Sequence, residues 1–111
     1  SKIKKAQLEA ILETYAQALL TAAQEAEDAI SAEDTLTKRE IAISKAFEES
    51  KAAEELTLDQ YNKGLSTIFE LLDSQSRRLN SESLLINAKR LRLTNRIKLY
   101  MAIATPVYGK N

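Results

Sequence analysis

The stretch Tyr61-Asn62-Lys63-Gly64-Leu65-Ser66-Thr67 contains the strongest backbone break in the first hundred residues of the chain. Gly64 is the only glycine before Gly109, and no proline occurs before Pro106. A glycine at the end of a helix adopts the left-handed conformation without steric cost. The stretch therefore predicts a turn that ends one helix.

A second helix is predicted directly after this turn. Ser66 or Thr67 can cap it, and Glu70 stands three residues after Thr67. This is the spacing of a capping box, in which each side chain bonds the backbone N–H of the other residue. We therefore expect two antiparallel helices joined by a tight turn.

The composition supports an all-α fold. The chain has 111 residues, enough for one small domain, with two glycines and one proline. Alanine, leucine, glutamate, lysine and arginine dominate, as is typical of long helices. The sequence begins within the helical pattern, so we expect it to be a piece of a longer protein.

Charge and residue usage exclude several classes of function. The 16 basic and 16 acidic residues cancel, so the chain lacks the basic surplus of a nucleic-acid-binding protein. Without cysteine or histidine it has no thiolate metal site and no Ser-His or Cys-His arrangement. We expect no catalytic residue, no metal site, no cofactor and no enzyme activity. No apolar run has the length of a membrane helix.

The first helix is predicted over residues 3–62. Apolar residues recur every three or four positions from Ile3 to Ile30 and again from Ile43 to Tyr61. Residues 31–37 contain two possible capping boxes but no glycine or proline, which favours one continuous helix. A break there would instead give a three-helix bundle.

The second helix is predicted over residues 67–104, after a turn at residues 63–66 and before a tail at residues 105–111. Thr105-Pro106 is expected to end it, because proline lacks the N–H donor and disfavours helical geometry before it. A seven-residue repeat predicts the coiled-coil side that packs on the first helix: Leu72, Leu79, Ile86, Leu93 and Tyr100. Further apolar residues lie off this repeat, which indicates more than one neighbour.

The two helices differ in length. In a hairpin the second helix covers the first only from about Asp28 to Tyr61, because both rise by about 1.5 Å per residue. Residues 3–27 then keep an apolar side without a partner in this chain. We therefore expect the chain to self-associate.

Three segments together resemble TolC-type outer-membrane efflux proteins. Tyr61-x-x-Gly64-x-x-Thr67 followed by Leu72-Asp73-x-Gln75 is similar to the family's "Y-x-x-G … LDAQ" signature. Residues 15–29 are similar to an upstream family helix, and Asn95-Arg96-Ile97-x-Leu99-Tyr100-x-Ala102 to its "N-R-I-x-L-Y-x-A-L-G" helix end. The resemblance covers nearly all of residues 6–103 and departs from the family after Tyr100.

The resemblance implies a fold, a location and partners. The chain would be a long antiparallel hairpin within the periplasmic α-barrel of a bacterial outer-membrane protein. That parent would be a homotrimer that exports small molecules or proteins. It would work with a periplasmic adaptor (membrane fusion) protein and an inner-membrane pump.

The resemblance also implies two sites. The tip, Gly64-Leu65-Ser66-Thr67, would dock the adaptor, although the same residues are needed to make the turn. Tyr61, Glu70 and Asp73 would form an entrance gate, with the acids repeated by threefold symmetry into a negative constriction. Equally, Glu70 completes a capping box and Asp73 can pair with Arg77 at i+4.

A second function remains open from the residues alone. A free-standing coiled-coil scaffold or adaptor that binds partner helices would show the same periodicity. Strand-forming sequence and a second similar hairpin in the parent gene would identify the channel.

Overall fold

The structure is a computed structural model that describes the backbone of residues 1–108 and the side chains of residues 1–104. It contains two helices, α1 (Lys2–Asn62) and α2 (Ile68–Tyr108), and no strand within those residues. The all-α helical hairpin is therefore confirmed. Helix α1 runs through residues 31–37 without interruption, so the alternative three-helix bundle is wrong.

The end of α2 differs from the prediction. Helix α2 continues to Tyr108, so Thr105-Pro106 does not end it at residue 104 as predicted. Proline removes one backbone N–H donor, and a helix can lose that single hydrogen bond near its end without stopping. Residues 109–111 of the predicted tail lie outside the described residues.

The chain divides into two compact units. We call Thr35–Arg92 the tip unit, because it contains the turn. The terminal unit combines Ser1–Asp34 with Leu93–Asn111. Each unit contains a part of both helices.

Two ion pairs define how the helices pair within the tip unit. The Arg78 guanidinium bonds the Glu54 carboxylate, and Arg92 Nη1 lies 2.9 Å from Glu40 Oε2. The second pair lies fourteen residues earlier in α1 (54 to 40) and fourteen later in α2 (78 to 92). The helices are therefore antiparallel, and their register is constant between the two pairs.

The α2 residues that pack on α1 form two rows. In the tip unit Leu71, Ser74, Leu85 and Ala88 are buried. We call the side that they define the seam; its residues recur every seven positions, as 71, 78, 85 and 92 and as 74, 81 and 88. Small side chains in the second row let two helix axes approach closely, and the arginines of the first row are paired with α1 carboxylates.

The prediction of which side of α2 packs on α1 is therefore wrong. The seven-residue repeat that was expected to face α1 points to solvent, with every member more than half exposed. We call this side the apolar flank: Leu72, Leu79, Ile86, Leu93 and Tyr100. In the seam, by contrast, leucines alternate with paired arginines, and serine and alanine make up the other row.

Alanines and one asparagine form the packed part of the terminal unit. Ala22, Ala29 and Ala102 are buried. Buried Asn95 donates from Nδ2 to the Ala29 carbonyl oxygen, at 2.8 Å, and Arg96 Nε lies 3.2 Å from Glu33 Oε1. Along the first part of α1 the large apolar side chains are exposed, as expected for residues 3–27: Ile3, Leu8, Ile11, Leu12, Tyr15, Leu19 and Leu20.

Candidate functional site at the turn

The last turn of α1 closes with a Schellman motif. The Leu65 N–H donates to the Gln60 carbonyl oxygen at 2.7 Å, and the Gly64 N–H donates to the Tyr61 carbonyl oxygen at 3.0 Å. This pair of bonds satisfies carbonyls that a helix end leaves without a partner. Gly64 has φ of +75°, the left-handed conformation that the motif requires and that a side chain disfavours.

A capping box begins α2, as the sequence predicts. The Glu70 N–H donates to Thr67 Oγ1 at 3.1 Å, and the Thr67 N–H donates to Glu70 Oε2 at 3.4 Å. Thr67 is therefore the cap. Ser66, the other predicted cap, donates from Oγ to Gln60 Oε1 at 3.1 Å and so ties the turn back to α1.

Apolar side chains project from the tip. Leu65 is 75% exposed and Phe69 is 79% exposed, although both are large and uncharged. Ile68 and Leu72, beside them in sequence, are also exposed. The turn thus holds an apolar surface on a backbone that is fixed by hydrogen bonds.

Sequence reasoning named Leu65 at this surface but missed Ile68 and Phe69. The available signal was their place in the first turn of α2. An apolar residue that directly follows a tight hairpin turn extends beyond the region that the other helix can cover. It therefore faces solvent or a partner outside the hairpin.

The three predicted gate residues lie close to the turn. Asp73 Oδ2 accepts a bond from Arg77 Nε at 2.9 Å, the i+4 pair that the sequence predicts. Glu70 is committed to the capping box. Tyr61 is exposed in the last turn of α1. All three are within nine residues of Gly64 in sequence, so the turn brings them to one end of the hairpin.

A metal site needs clustered ligands, and a membrane anchor needs a long apolar helix. Over the described residues, no three potential metal-ligating side chains come together. Within the described part of each helix, no stretch combines the length and the apolar character needed to cross a membrane. Every buried side-chain nitrogen or oxygen among these residues has a hydrogen-bond partner.

Known proteins similar to this chain are outer-membrane components of efflux pumps. The solvent efflux pump outer membrane protein SrpC of Pseudomonas putida is 28% identical over 90 residues. The toluene efflux pump outer membrane protein TtgI, from a strain of the same species, is also 28% identical over 90 residues. Each match covers 81% of this chain but 19% of the relative, so the chain spans about a fifth of the length of these relatives.

No solved structure matches the chain. A model of the outer membrane efflux protein family, in contrast, matches residues 1–105, which include the turn, the seam and nearly all of both helices. The chain belongs to the outer membrane efflux protein family.

Proposed function

We propose that the chain forms part of the wall of an efflux channel in a bacterial outer-membrane protein. The observation that carries this proposal is the family match over residues 1–105, on a hairpin whose large apolar side chains face outward. In this role the hairpin lies in the periplasm and performs no catalysis. It borders a conduit through which the parent protein exports small molecules or proteins.

We propose further that the tip contacts a periplasmic adaptor protein. Leu65 and Phe69 support this proposal, because they offer apolar surface at the one end where the two helices are joined. The Schellman motif and the capping box hold this surface in one conformation. A preformed contact surface loses little conformational entropy when a partner binds. The inner-membrane pump would complete the assembly.

Tyr61, Glu70 and Asp73 are proposed as an entrance gate in a homotrimeric parent. Their position beside the turn supports the proposal, since three hairpins around one axis would bring three copies of each residue together. Two carboxylates per hairpin would make that constriction negative and favour cations. Within one hairpin, Glu70 and Asp73 already have local partners, so the gate would depend on the assembled trimer.

A free-standing coiled-coil scaffold is the second candidate function. The apolar flank supports it, because a row of large apolar side chains at seven-residue spacing also suits a partner helix. The length of the encoding gene separates the two candidates. A gene that encodes several times this length, with a second similar hairpin, identifies the channel.

The experiment that tests the proposed function expresses the parent efflux protein in a bacterial host that lacks its own outer-membrane efflux protein. Phe69→Ser removes an exposed apolar side chain at the tip, and Ile41→Ser removes one of similar exposure far from the tip. We expect Phe69→Ser to lower dye export and adaptor cross-linking at least about tenfold, as loss of an apolar anchor at an interface does.

Ile41→Ser is the matched control, and we expect it to leave adaptor cross-linking unchanged. Protein levels in the outer membrane are measured for both variants, so that loss of the protein is not mistaken for loss of contact. Equal export and cross-linking by the two variants would reject the tip as the adaptor contact.

A further inference from the structure

Leucine and arginine alternate in the first row of the seam. Leu71 and Leu85 are buried, and Arg78 and Arg92 follow them by seven residues each, so each residue type recurs every fourteen positions. Both arginines pair with carboxylates of α1. Along the tip unit, apolar layers of the seam therefore alternate with ionic layers.

The facing side of α1 has the same alternation. Glu40 and Glu54 are fourteen residues apart, and Phe47, which is half-buried, lies midway between them. Because the two ion pairs have a constant register, Phe47 is at the same height along the hairpin as Leu85, which lies midway between the two arginines. The two helices thus present ionic and apolar residues to each other in the same order.

The carboxylates of the ionic layers are largely shielded from water. The side chain of Glu54 is 19% exposed and that of Glu40 is 16% exposed. A carboxylate at this depth is strongly unfavourable without a cation, although the pair itself adds little net stability over apolar residues. The ion pairs are therefore better suited to selecting one alignment of the helices than to adding stability to it.

A slide of α2 along α1 by seven residues would keep the same sides of the helices in contact but separate the charges. Arg78 would lie at the height of Phe47 after a slide in one direction and of Tyr61 after a slide in the other. It would keep only its bond to Glu82 of the same helix. In both directions Glu54 would lie at the height of a buried leucine. The slide is therefore unfavourable, because it leaves a shielded carboxylate without a cation.

A slide by fourteen residues would bring arginines and carboxylates of the two helices together again, but the turn excludes it. In an antiparallel hairpin such a slide moves the turn by seven residues along the chain. The new turn would contain no glycine, because Gly64 is the only one before Gly109. It would also lack the Schellman motif and the capping box. The ion pairs and the turn therefore exclude different misalignments.

We propose that the pairs Glu54–Arg78 and Glu40–Arg92 form a register lock, which prevents α2 from sliding along α1 by one heptad. The lock specifies one alignment by making the neighbouring alignments unfavourable. This inference goes beyond the proposed function, because a channel wall and a free-standing scaffold would both contain the lock.

The register lock also determines which residues form the tip. A slide by seven residues moves the turn by three or four residues along the chain. Leu65 and Phe69, which project from the end of the hairpin, would then stand at different distances from that end. The four charged residues of the lock are thus positioning residues for the tip surface.

The test reverses the order of the layers in α2 while keeping its composition. The exchanged chain carries four substitutions in the first row of the seam: Leu71→Arg, Arg78→Leu, Leu85→Arg and Arg92→Leu. In the native alignment this chain forms neither ion pair. After a slide of seven residues in one direction it forms two, because the arginines at positions 71 and 85 lie at the heights of Glu54 and Glu40. We therefore expect the exchanged chain to fold in the slid alignment.

The alignment is measured by disulfide formation, since the chain has no cysteine of its own. Ser50→Cys, Ser74→Cys and Ser81→Cys are introduced together, and all three positions line a groove between the helices of the tip unit. By the register of the ion pairs, Ser50 lies at the height of Ser81. Ser74 is about 10.5 Å further along α2, which is beyond the span of a disulfide. After the expected slide, position 74 replaces position 81 at the height of position 50.

Mild oxidation, followed by peptide mass spectrometry of the monomer, measures both disulfides in one chain. With the natural seam the 50–81 disulfide should predominate. In the exchanged chain the ratio of the 50–74 to the 50–81 disulfide should rise at least about tenfold. The matched control, Arg77→Leu with Leu84→Arg, exchanges the same residue types at exposed positions outside the seam. It should keep the 50–81 disulfide.

A second exchange, in α1, distinguishes a changed alignment from a lost fold. It is added to the exchanged chain and restores the matching order of the layers with four substitutions: Glu40→Phe, Phe47→Glu, Glu54→Tyr and Tyr61→Glu. The combined variant should return to the 50–81 disulfide. Circular dichroism measures the helix content of every variant.

Three results would overturn the proposal. If the exchanged chain is helical and still forms mainly the 50–81 disulfide, the turn alone sets the alignment. If the control slides as well, the seam pairs are not the cause. If the exchanged chain does not fold and the α1 exchange fails to restore it, the ionic layers do not specify the register. The proposed function is tested separately, by Phe69→Ser in the parent protein.

Discussion

The two sides of α2 in the tip unit differ in the residues that they bury and expose. The seam, which packs on α1, buries Ser74 and Ala88 as well as Leu71 and Leu85, whereas the apolar flank exposes Leu72, Leu79 and Ile86. In most soluble domains the large apolar residues are inside. Close approach of the helices and ion pairing therefore favour the residues of the seam, while the residues of the flank are suited to a neighbour.

The energetic consequence follows from side-chain size. Burying a leucine or isoleucine side chain contributes roughly 1.5–3 kcal/mol, but burying one methyl-sized group contributes only about 0.8 kcal/mol. The hairpin by itself thus uses a small part of the hydrophobic free energy that its sequence offers. Substitutions in the seam should therefore change the free energy of unfolding. Substitutions on the apolar flank should instead change association with a partner.

The largest effect is expected from Ala88→Leu, which enlarges the most tightly packed position of the seam. Ala88 is 2% exposed, so additional methyl groups must push the helices apart. We expect the free energy of unfolding to fall by about 1–3 kcal/mol. Urea denaturation followed by circular dichroism at one protein concentration measures it. The exposed Ala52→Leu should change it by less than about 0.5 kcal/mol; equal effects would mean that the seam is not closely packed.

A smaller effect is expected from Arg78→Met, which removes the guanidinium that pairs with Glu54 and, through Nη1 at 2.8 Å, with Glu82 Oε2. Side-chain exposure is 27% for Arg78 and 19% for Glu54, against 77% and 63% for Arg77 and Asp73. We expect a loss of about 1–2 kcal/mol, below that of a fully buried pair, and less than about 0.5 kcal/mol for Arg77→Met. Equal unfolding midpoints for these neighbouring arginines would contradict the assignment of position 78 to the seam.

The smallest effect is expected at the turn that joins the two helices. Gly64→Val should lower stability by about 1 kcal/mol, because a side chain at φ of +75° is strained. Gly64→Asn should cost less, since asparagine tolerates this conformation better. Thermal unfolding of the two variants compares them. A valine variant as stable as the asparagine variant would show that the left-handed backbone does not determine the turn.

Features set by local interactions were predicted correctly from the sequence. The end of α1 just before Gly64 and the capping box of Thr67 and Glu70 depend on residues within about one turn of each other. Helix α1 is continuous because residues 31–37 contain no residue that disrupts the backbone. The Asp73–Arg77 pair was also predicted correctly, because its i+4 spacing on a helix is visible in the sequence alone.

Features set by non-local packing were not predicted. Several series in α2 repeat every seven residues, including those that begin at Leu71 and Leu72, and periodicity alone cannot say which one faces α1. Burial usually follows hydrophobicity, so the pattern favours the more apolar series. That rule fails where a partner lies outside the chain, and for the same reason Ile68 and Phe69 were not recognised as tip surface. The roles of the tip and gate residues remain predictions.

The positive φ of Gly64 determines which handedness of amino acid suits this position. Apart from Gly64 and its two chain neighbours, no described residue has a heavy atom within 4 Å of the position that a Cβ would occupy there, so the cost of substitution arises from the backbone. A D-amino acid prefers positive φ, as an L-amino acid prefers negative φ. A synthetic chain with D-alanine at position 64 would therefore keep the turn while restricting the conformations of the unfolded chain.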